Sequence, residues 1–197
     1  MRPDSLARFI LRTLAWLPVC FAIWFWTATY VAPVVGSLAR VSIAAFAPRL
    51  VTGLERDGID LVFVTGLEIH PAPGQAALVL VDINPLVYTY GLGLFAALML
   101  AARSRLWKLA VGALSLLPFQ AWGVAFDFLV QVGVTLGPEV AVQAAFTSAQ
   151  REAIALGYQA GALIFPTLAP VALWACLNQP FLKGLMGFPA PEATAAT

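Results

Sequence analysis

Four long apolar stretches constrain this chain more than any other feature of its sequence. A helix that crosses a bilayer needs roughly 20 mostly apolar residues. The stretches that meet this requirement are Phe9 to Val31, Leu86 to Ala102, Leu106 to Val134 and Ala153 to Leu177. Hydrophobic residues make up 61% of the chain and charged residues only 11%, against about 45–50% and about 25% in soluble domains. The sequence therefore predicts a mainly α-helical membrane protein built on a four-span transmembrane bundle.

A further apolar stretch, residues 32–47, follows the first span directly. It carries Arg40 and lies between Pro33 and Pro48. Its moderate length and its arginine favour a helix on or near the membrane interface, because a charged side chain within lipid is costly. A fifth span is the alternative. Residues 8–48 are thus predicted to form the first transmembrane helix plus an interfacial helix.

The segment 49–85, between the first and second spans, has the pattern of a small β-sheet. The Asp57-Gly58 pair is typical of a two-residue hairpin turn in which both central residues take positive φ. Two β-rich runs, Ile59 to Ile69 and Ala76 to Ile83, are separated by a loop over residues 70–75 that is rich in Pro and Gly. The segment is predicted to be an antiparallel β-meander insert of two or three strands.

Charge bias predicts the orientation of the spans. Lys and Arg concentrate in cytoplasmic loops, most reliably in short ones, and the turn 103–108 is both short and basic. If this turn is cytoplasmic, both termini are too, and the cations on that side are Arg2, Arg8, Arg12, Arg103, Arg105, Lys108 and Lys183. The insert 49–85 and the loop 135–152 then face outward. Spans 2–4 occupy residues 86–183, and the tail 184–197 is predicted to be a disordered cytoplasmic segment.

Local signals within residues 86–183 predict how the later helices begin and pack. Gly137-Pro138 is typical of a helix start with Pro at an early position, and Thr147 or Ser148 is a candidate cap for the last span. Small residues at helix surfaces allow neighbouring helices to approach closely. The small residues proposed for such contacts are Gly91, Gly93, Gly157 and Gly161.

Polar side chains inside the predicted spans form a candidate site at one depth. Gln120, Asp127 and Gln131 are spaced i, i+7 and i+11, which places them on one helix face. The second and last spans bring further polar residues to the same outer depth, beneath the insert. The complete candidate cluster, an outward polar cluster or docking site, is Asn84, Tyr88, Tyr90, Gln120, Asp127, Gln131, Arg151, Glu152, Tyr158 and Gln159.

Two interpretations of this cluster stay open at the level of sequence. In the first, it is an outward polar pocket or docking cleft in which Asp127 pairs with Arg151. In the second, Asp127 only holds helices together through an arginine or a tyrosine. Hydrogen bonds between helices in lipid contribute only about 0.6–2 kcal/mol each, so structural contact alone is a modest reason to keep a carboxylate there.

The sequence predicts no metal, no cofactor and no nucleic-acid partner. His70 is the sole histidine and is expected to be a solvated loop residue, which cannot build a tetrahedral zinc site by itself. Cys20 and Cys176 lie in apolar stretches and are expected to be packing residues. The net charge is +1 without runs of Lys or Arg, which argues against binding to phosphate backbones.

Four segments taken together, in their order and spacing, carry a family resemblance. They are Leu14 to Pro18, Asp82 to Gly91, Leu117 to Gly123 and Gln150 to Gln159. With them the chain resembles the exosortase H-associated membrane proteins of Gram-negative bacteria over residues 8–183. The Asn-Pro-Leu-Val-Tyr-Thr-Tyr-Gly and Gln-Arg-Glu-Ala-Ile-Ala-Leu-Gly-Tyr-Gln sequences are the most specific parts.

The resemblance implies a multi-pass accessory protein of the bacterial inner membrane, with its insert in the periplasm. The exosortase of such a system is a multi-span, cysteine transpeptidase-like enzyme that processes proteins bearing a C-terminal sorting signal. The implied partners are exosortase H, its sorted substrates and the lipid bilayer, and a homo-oligomer is possible. The resemblance supplies no catalytic residues to carry over to this chain.

Three functions follow as hypotheses. The leading one is a non-enzymatic accessory that docks the enzyme or its substrate through the periplasmic insert. A small transporter or channel-like protein with Asp127 as a cation or proton site is the first alternative. An intramembrane hydrolase that uses Asp127 is the second, although a lone carboxylate lacks the partner of an aspartyl dyad. An exosortase itself would need Cys, Arg and His at one depth, and neither Cys20 nor Cys176 shares a depth with both His70 and Arg151.

Overall fold

Eight α-helices and a three-stranded antiparallel sheet make up the computed structural model, which describes residues 3–72 and 74–186. The helices are α1 (Pro3–Phe46), α2 (Leu86–Thr89), α3 (Gly91–Ala101), α4 (Leu106–Val130), α5 (Pro138–Ala144), α6 (Ser148–Gln159), α7 (Phe165–Leu177) and α8 (Gln179–Met186). The strands are β1 (Val51–Asp57), β2 (Asp60–Ala72) and β3 (Gln75–Ile83). Two π-helical turns, Gln131–Thr135 and Ala160–Ile164, continue α4 and join α6 to α7.

Three of the described helices are long and apolar enough to cross a membrane: Leu6–Phe46, Leu106–Thr135 and Ser148–Leu177. The remaining predicted span corresponds to the shorter apolar stretch Leu86–Ala101, formed by α2 and α3. Its sixteen residues rise about 24 Å, less than the hydrocarbon thickness of about 30 Å. Length and composition thus support three of the four predicted spans, whereas the four-span topology and its orientation stay predictions.

Helix α1 is one uninterrupted helix of 44 residues, roughly 66 Å long and twice the thickness of the hydrocarbon core. The stretch 32–47 therefore continues the first span, as expected. Its buried side chains are spaced three or four residues apart and pack in one core with the sheet; they are Ala32, Val35, Ala39 and Ile43. The second half of α1 thus supports the sheet.

Pro33 within α1 creates an attachment point for the sheet. Proline has no backbone N–H, so the carbonyl of Thr29, four residues earlier, loses its usual helical donor. Arg56 of β1 supplies a replacement, because its Nη1 donates to the Thr29 oxygen at 3.0 Å. The replacement donor for the Thr29 carbonyl is therefore a side chain 27 positions further along the sequence.

The sheet is a meander in the order β1-β2-β3. Asp57 pairs with Asp60, so the central turn residues are Gly58 and Ile59. Only Gly58 takes positive φ, at 60°. The expectation that both members of the Asp-Gly pair would do so is wrong, because Asp57 is the last strand residue and glycine occupies the first turn position, as in type II′ turns.

Strand β2 is longer than the sequence predicts. It runs to Ala72, which pairs with Gln75, so His70 lies in the strand and the expectation that residues 70–75 form a loop is wrong for residues 70–72 and 75. A bulge between Val64 and Glu68 breaks the strict alternation of side chains. Such an extra residue re-aims the strand and hides its periodicity from a sequence pattern.

Helix α5, in the loop 135–152, packs along the part of β2 that β1 does not reach. Pairing with β1 ends at Thr65. Beyond it, the Gln143 side chain accepts from the Glu68 N–H at 3.1 Å and donates to the Glu68 carbonyl at 2.6 Å. His70 Nδ1 lies 3.0 Å from Glu139 Oε1, so His70 has a partner and is not simply solvated. The amide of Gln143 stands in for a neighbouring strand.

This contact predicts that Gln143→Ala releases α5 from the sheet. The substitution removes two hydrogen bonds between exposed groups, which together contribute about 1 kcal/mol to the free energy that holds α5 on the sheet. Amide hydrogen exchange in α5 should therefore be about fivefold faster. Hydrogen exchange followed by mass spectrometry measures this rate. Gln159→Ala, at an exposed position of α6, is the control and should leave α5 unchanged. Unaltered exchange in Gln143→Ala would contradict the contact.

The helix starts expected from local signals are confirmed. Gly137 takes φ of 98° immediately before α5, and Pro138 occupies its first turn. Thr147 caps α6 through a capping box with Gln150, each side chain accepting from the other's backbone N–H. Residues 184–186 belong to α8, contrary to the predicted disorder from residue 184; the rest of that tail lies outside the described residues.

Candidate functional site

Four polar side chains from different elements form one hydrogen-bonded group, which we call the polar junction: Tyr88, Asp127, Gln131 and Tyr158. The Tyr88 hydroxyl lies close enough to the Asp127 carboxylate and to the Tyr158 hydroxyl to interact with both side chains. Gln131 Nε2 donates to Asp127 Oδ1 at 3.2 Å and to the backbone carbonyl of Asp82 in β3 at 3.4 Å. The polar junction therefore links α2, α4 and α6 to the sheet.

Local sequence positions the Tyr88 side chain. Asn84 Oδ1 accepts from the Leu86 N–H at 2.9 Å, and Pro85 follows Asn84, so the chain leaves β3 in a tight turn and enters α2 at once. Trp24 of α1 donates to Thr89 Oγ1 at 3.3 Å. With α2 held at both ends, Tyr88 is only 4% exposed and points at Asp127.

Gln120 lies beside the polar junction rather than in it. Its side chain is 4% exposed, and its Oε1 has no protein partner among the described residues. A cavity of about 10 Å³ lined by Gln120, Tyr88 and Gly91, among others, is close to the smallest volume that holds one water molecule. A single water there would satisfy the amide oxygen.

The structure does not bring the remaining predicted residues into the polar junction. Asp127 forms no ion pair with Arg151 among the described residues, so of the arginine and the tyrosine left open by the sequence, the tyrosine lies beside it. Arg151, Glu152 and Gln159 are exposed on α6, and Asn84 serves the turn before α2. Tyr90 is half-buried and has no side-chain hydrogen bond within the described part of the chain. Arg151 lies near the start of α6, about two turns from Tyr158 on the same side of the helix, so its position along the helix separates it from the polar junction.

The chemistry of the polar junction is that of a structural link. The Asp127 carboxylate accepts from Gln131 and interacts with the Tyr88 hydroxyl, so two other elements contact it. No group of three His, Cys, Asp or Glu side chains suited to a metal occurs among the described residues. The geometry favours the interpretation that Asp127 holds helices and sheet together.

The outward side of the sheet is a second candidate surface, which we call the outer sheet face. Leu80 and Leu78 of β3 are 53% and 55% exposed, and Leu80 pairs with Val64 of β2. Acidic residues surround these apolar side chains, because Val62 pairs with both Glu55 and Asp82, and Leu78 pairs with Glu68. The inward side instead packs into the core through residues such as Phe63, whose ring lies 5.3 Å from that of Phe128.

Sequence reasoning proposed the insert as a contact region but named no residues on it. Side chains in β3 alternate between the two faces of the sheet, and this alternation was the signal available in the sequence. Val79, Val81 and Ile83 face inward, whereas Leu78, Leu80 and Asp82 face outward. The bulge in β2 obscured the same alternation there. Residues of the outer sheet face were missed for that reason.

The two cysteines are far apart in the fold. Cys20 is buried on α1, Cys176 is exposed near the end of α7, and neither is in a disulfide. His70, the sole histidine, contacts Glu139 of α5. These positions give the thiols no histidine partner among the described residues.

Comparison with known proteins identifies the family. The chain matches the model of the exosortase H-associated membrane protein family over residues 3–181, nearly its whole length. No curated protein and no solved structure matches it. The segments that carry the resemblance in the sequence also build the site, since Asp82 to Gly91 contains Tyr88 and Gln150 to Gln159 contains Tyr158. The chain belongs to the exosortase H-associated membrane protein family, a family of accessory membrane proteins.

Proposed function

We propose that this chain is a non-enzymatic docking subunit that binds exosortase H through the outer sheet face, on the periplasmic side of the inner membrane. The observation that carries the proposal is the exposed apolar pair Leu78 and Leu80, with the half-buried Val64 beside them, on an otherwise well-supported sheet. Family membership supports exosortase H as the partner. A sorted protein with a C-terminal signal is the alternative occupant of the same face.

The support beneath the outer sheet face suits it to binding. α1 packs under the sheet, Arg56 fastens β1 to Thr29, and Gln143 holds β2. A rigid surface loses little conformational freedom when a partner binds, so more of the contact energy appears as affinity. Exposed aliphatic side chains with a charged surround match the usual arrangement of an apolar interface centre and a polar rim.

The orientation N-in, C-in, with α2 and α3 as a short second span, is part of this proposal. The basic turn 103–108 supports it through the positive-inside rule. The polar junction, at the base of the sheet, would then lie at the periplasmic membrane surface. The contacts of Asp127 with Gln131 and Tyr88 favour docking over an ion pathway or a hydrolase at Asp127.

Photo-crosslinking in living cells tests the docking proposal. A photoreactive residue at Leu80 should form an adduct with exosortase H, whereas one at Val142, which is 77% exposed on α5, should not. Mass spectrometry of the adducts identifies the partner. Adducts with a sorted substrate alone would replace the enzyme as the occupant, and equal adducts from both positions would contradict a specific face.

A charge variant gives the same proposal a quantitative test. Leu80→Asp puts a carboxylate at the centre of the patch, and loss of a central apolar contact costs about 2 kcal/mol. Recovery of exosortase H with the tagged protein should fall about thirtyfold. Val142→Asp is the matched control and should recover the enzyme normally. Unchanged recovery with Leu80→Asp would contradict the proposal.

A further inference from the structure

Two adjoining cavities lie at the end of the helices opposite the sheet. One, of about 390 Å³, is lined by the start of α1, the end of α3 and α8. The other, of about 340 Å³, is lined by the turn between α3 and α4, Asn178 and α8. Pro180 and Phe181 line both cavities, so the two form neighbouring compartments on either side of the first turn of α8.

Both compartments are basic. Arg8 and Arg12 line the first, and Arg103, Arg105 and Lys108 line the second. Neither cavity has an acidic side chain among its described lining residues. Each compartment therefore presents guanidinium or ammonium donors to an anion, and planar guanidinium groups suit phosphate oxygens well.

The basic turn is held in place before any ligand binds. Ser104 Oγ donates to Asn178 Oδ1 at 2.6 Å, and Lys108 Nζ donates to the Leu177 carbonyl at 2.6 Å. Asn178 is itself buried and donates to the Trp174 carbonyl at 3.0 Å. The Lys108 ammonium keeps donors to spare, because it has three and uses one here.

An aromatic wall adjoins the arginines of the first compartment. The Phe9 ring lies 5.3 Å from the rings of both Trp174 and Phe181, and Leu185 lines the same cavity. Since Phe9 and Arg12 are neighbours on one face of α1, a ligand that reached Arg12 would also contact this wall. A small soluble anion would make no apolar contacts with this aromatic wall, whereas a lipid has both an anionic headgroup and acyl chains that could contact it.

We propose that these compartments bind one anionic phospholipid with two phosphates, of the diphosphatidylglycerol class. One phosphate lies against Arg12 in the first compartment and the other against Arg105 and Lys108 in the second. An acyl chain packs along Phe9 and Phe181. Basic pockets between membrane helices favour headgroups of this type, and two adjoining basic compartments match two phosphates on one molecule.

Native mass spectrometry of the purified full chain in detergent tests the proposal, with diphosphatidylglycerol as the probe. One lipid should bind tightly, and phosphatidylcholine should bind much less. Each cation near a phosphate contributes roughly a factor of five to the affinity. Arg12→Gln should therefore weaken lipid binding about fivefold, and the double variant Arg12→Gln with Arg105→Gln should weaken it about 25-fold. Arg40→Gln is the matched control, because Arg40 is also an exposed arginine of α1 but lies at the opposite end.

Three results would overturn the proposal. Equal weakening by Arg12→Gln and Arg40→Gln would indicate attraction by overall charge, and unchanged binding in the double variant would place the lipid elsewhere. Displacement of the lipid by millimolar inorganic phosphate would indicate a site for a soluble anion. Thermal unfolding of each variant in detergent accompanies the titration, and the affinities of variants that unfold with the wild-type midpoint decide the outcome.

Discussion

Gly91→Ala should lower the free energy of unfolding by about 2–3 kcal/mol, the upper part of the range for overpacked sites. A Cβ at this position would overlap the carbonyl oxygen of Pro166 and lie 2.8 Å from Cγ of Pro170. Neither atom belongs to a side chain that can rotate away. α3 would have to move off α7, and the contact between the two helices would open.

Pro170 explains why the backbones come so close at this point. Because proline has no N–H, the Pro166 carbonyl, four residues earlier, lacks its helical donor and projects from α7 toward Gly91. Thermal unfolding of the purified protein in detergent measures the loss. Gly184→Ala is the control, since nothing lies within 4 Å of a Cβ there and alanine favours a helix. A wild-type midpoint for Gly91→Ala would mean that α3 and α7 do not pack this closely.

The second large effect concerns the polar junction and is measured by a double-mutant cycle. Asp127→Leu leaves the buried Tyr88 hydroxyl and the Gln131 amide with one acceptor fewer, which should cost about 1–3 kcal/mol. Tyr88→Phe should cost about 1 kcal/mol. The double variant should be less destabilised than the sum of the two, by about 1 kcal/mol, the range found for hydrogen bonds between membrane helices. Unfolding in graded denaturing detergent provides the four free energies.

A conservative variant separates structure from chemistry at Asp127. Asp127→Asn keeps an oxygen that can accept from Gln131 Nε2, which also retains its bond to the Asp82 carbonyl, and the new NH₂ group can donate to the Tyr88 hydroxyl oxygen. We therefore expect near-normal stability and normal recovery of exosortase H. If Asp127→Asn is stable and still recovers the enzyme but protein sorting stops, the carboxylate has a chemical role and the hydrolase or ion-site alternative returns. Strictly additive free energies in the cycle would contradict the direct Tyr88–Asp127 contact.

Prediction from sequence succeeded wherever the determining interactions are local. The helix starts at Gly137-Pro138 and at Thr147 depend on neighbours within a few residues, and both are confirmed. The two turns of the meander were found for the same reason. The Asp-Gly turn was predicted with the wrong residues in its centre, because register depends on the partner strand and a shift by one residue exchanges the two faces.

The candidate site was predicted only in part. Helix phase correctly grouped Asp127 with Gln131, which are one turn apart, and it brought Tyr88 and Tyr158 to their depth. The sequence left both an arginine and a tyrosine open as partners of Asp127. Arg151 and Tyr158 are seven residues apart and lie on one side of α6, but Arg151 is exposed near the start of the helix, whereas Tyr158 lies about two turns further along, beside the polar junction.

By itself, the sequence determined the membrane-protein class, the apolar helices, the β-meander and the family. Each of these depends on composition, on local periodicity or on the order and spacing of short sequence segments. Only the tertiary structure decided that Arg56 completes α1 at Thr29, that Gln143 extends the sheet, that Asp127 bonds to Tyr88, and that basic side chains from α1 and the 103–108 turn adjoin α8. These contacts join residues tens of positions apart, and their geometry depends on helix rotation and strand register, which no local pattern encodes.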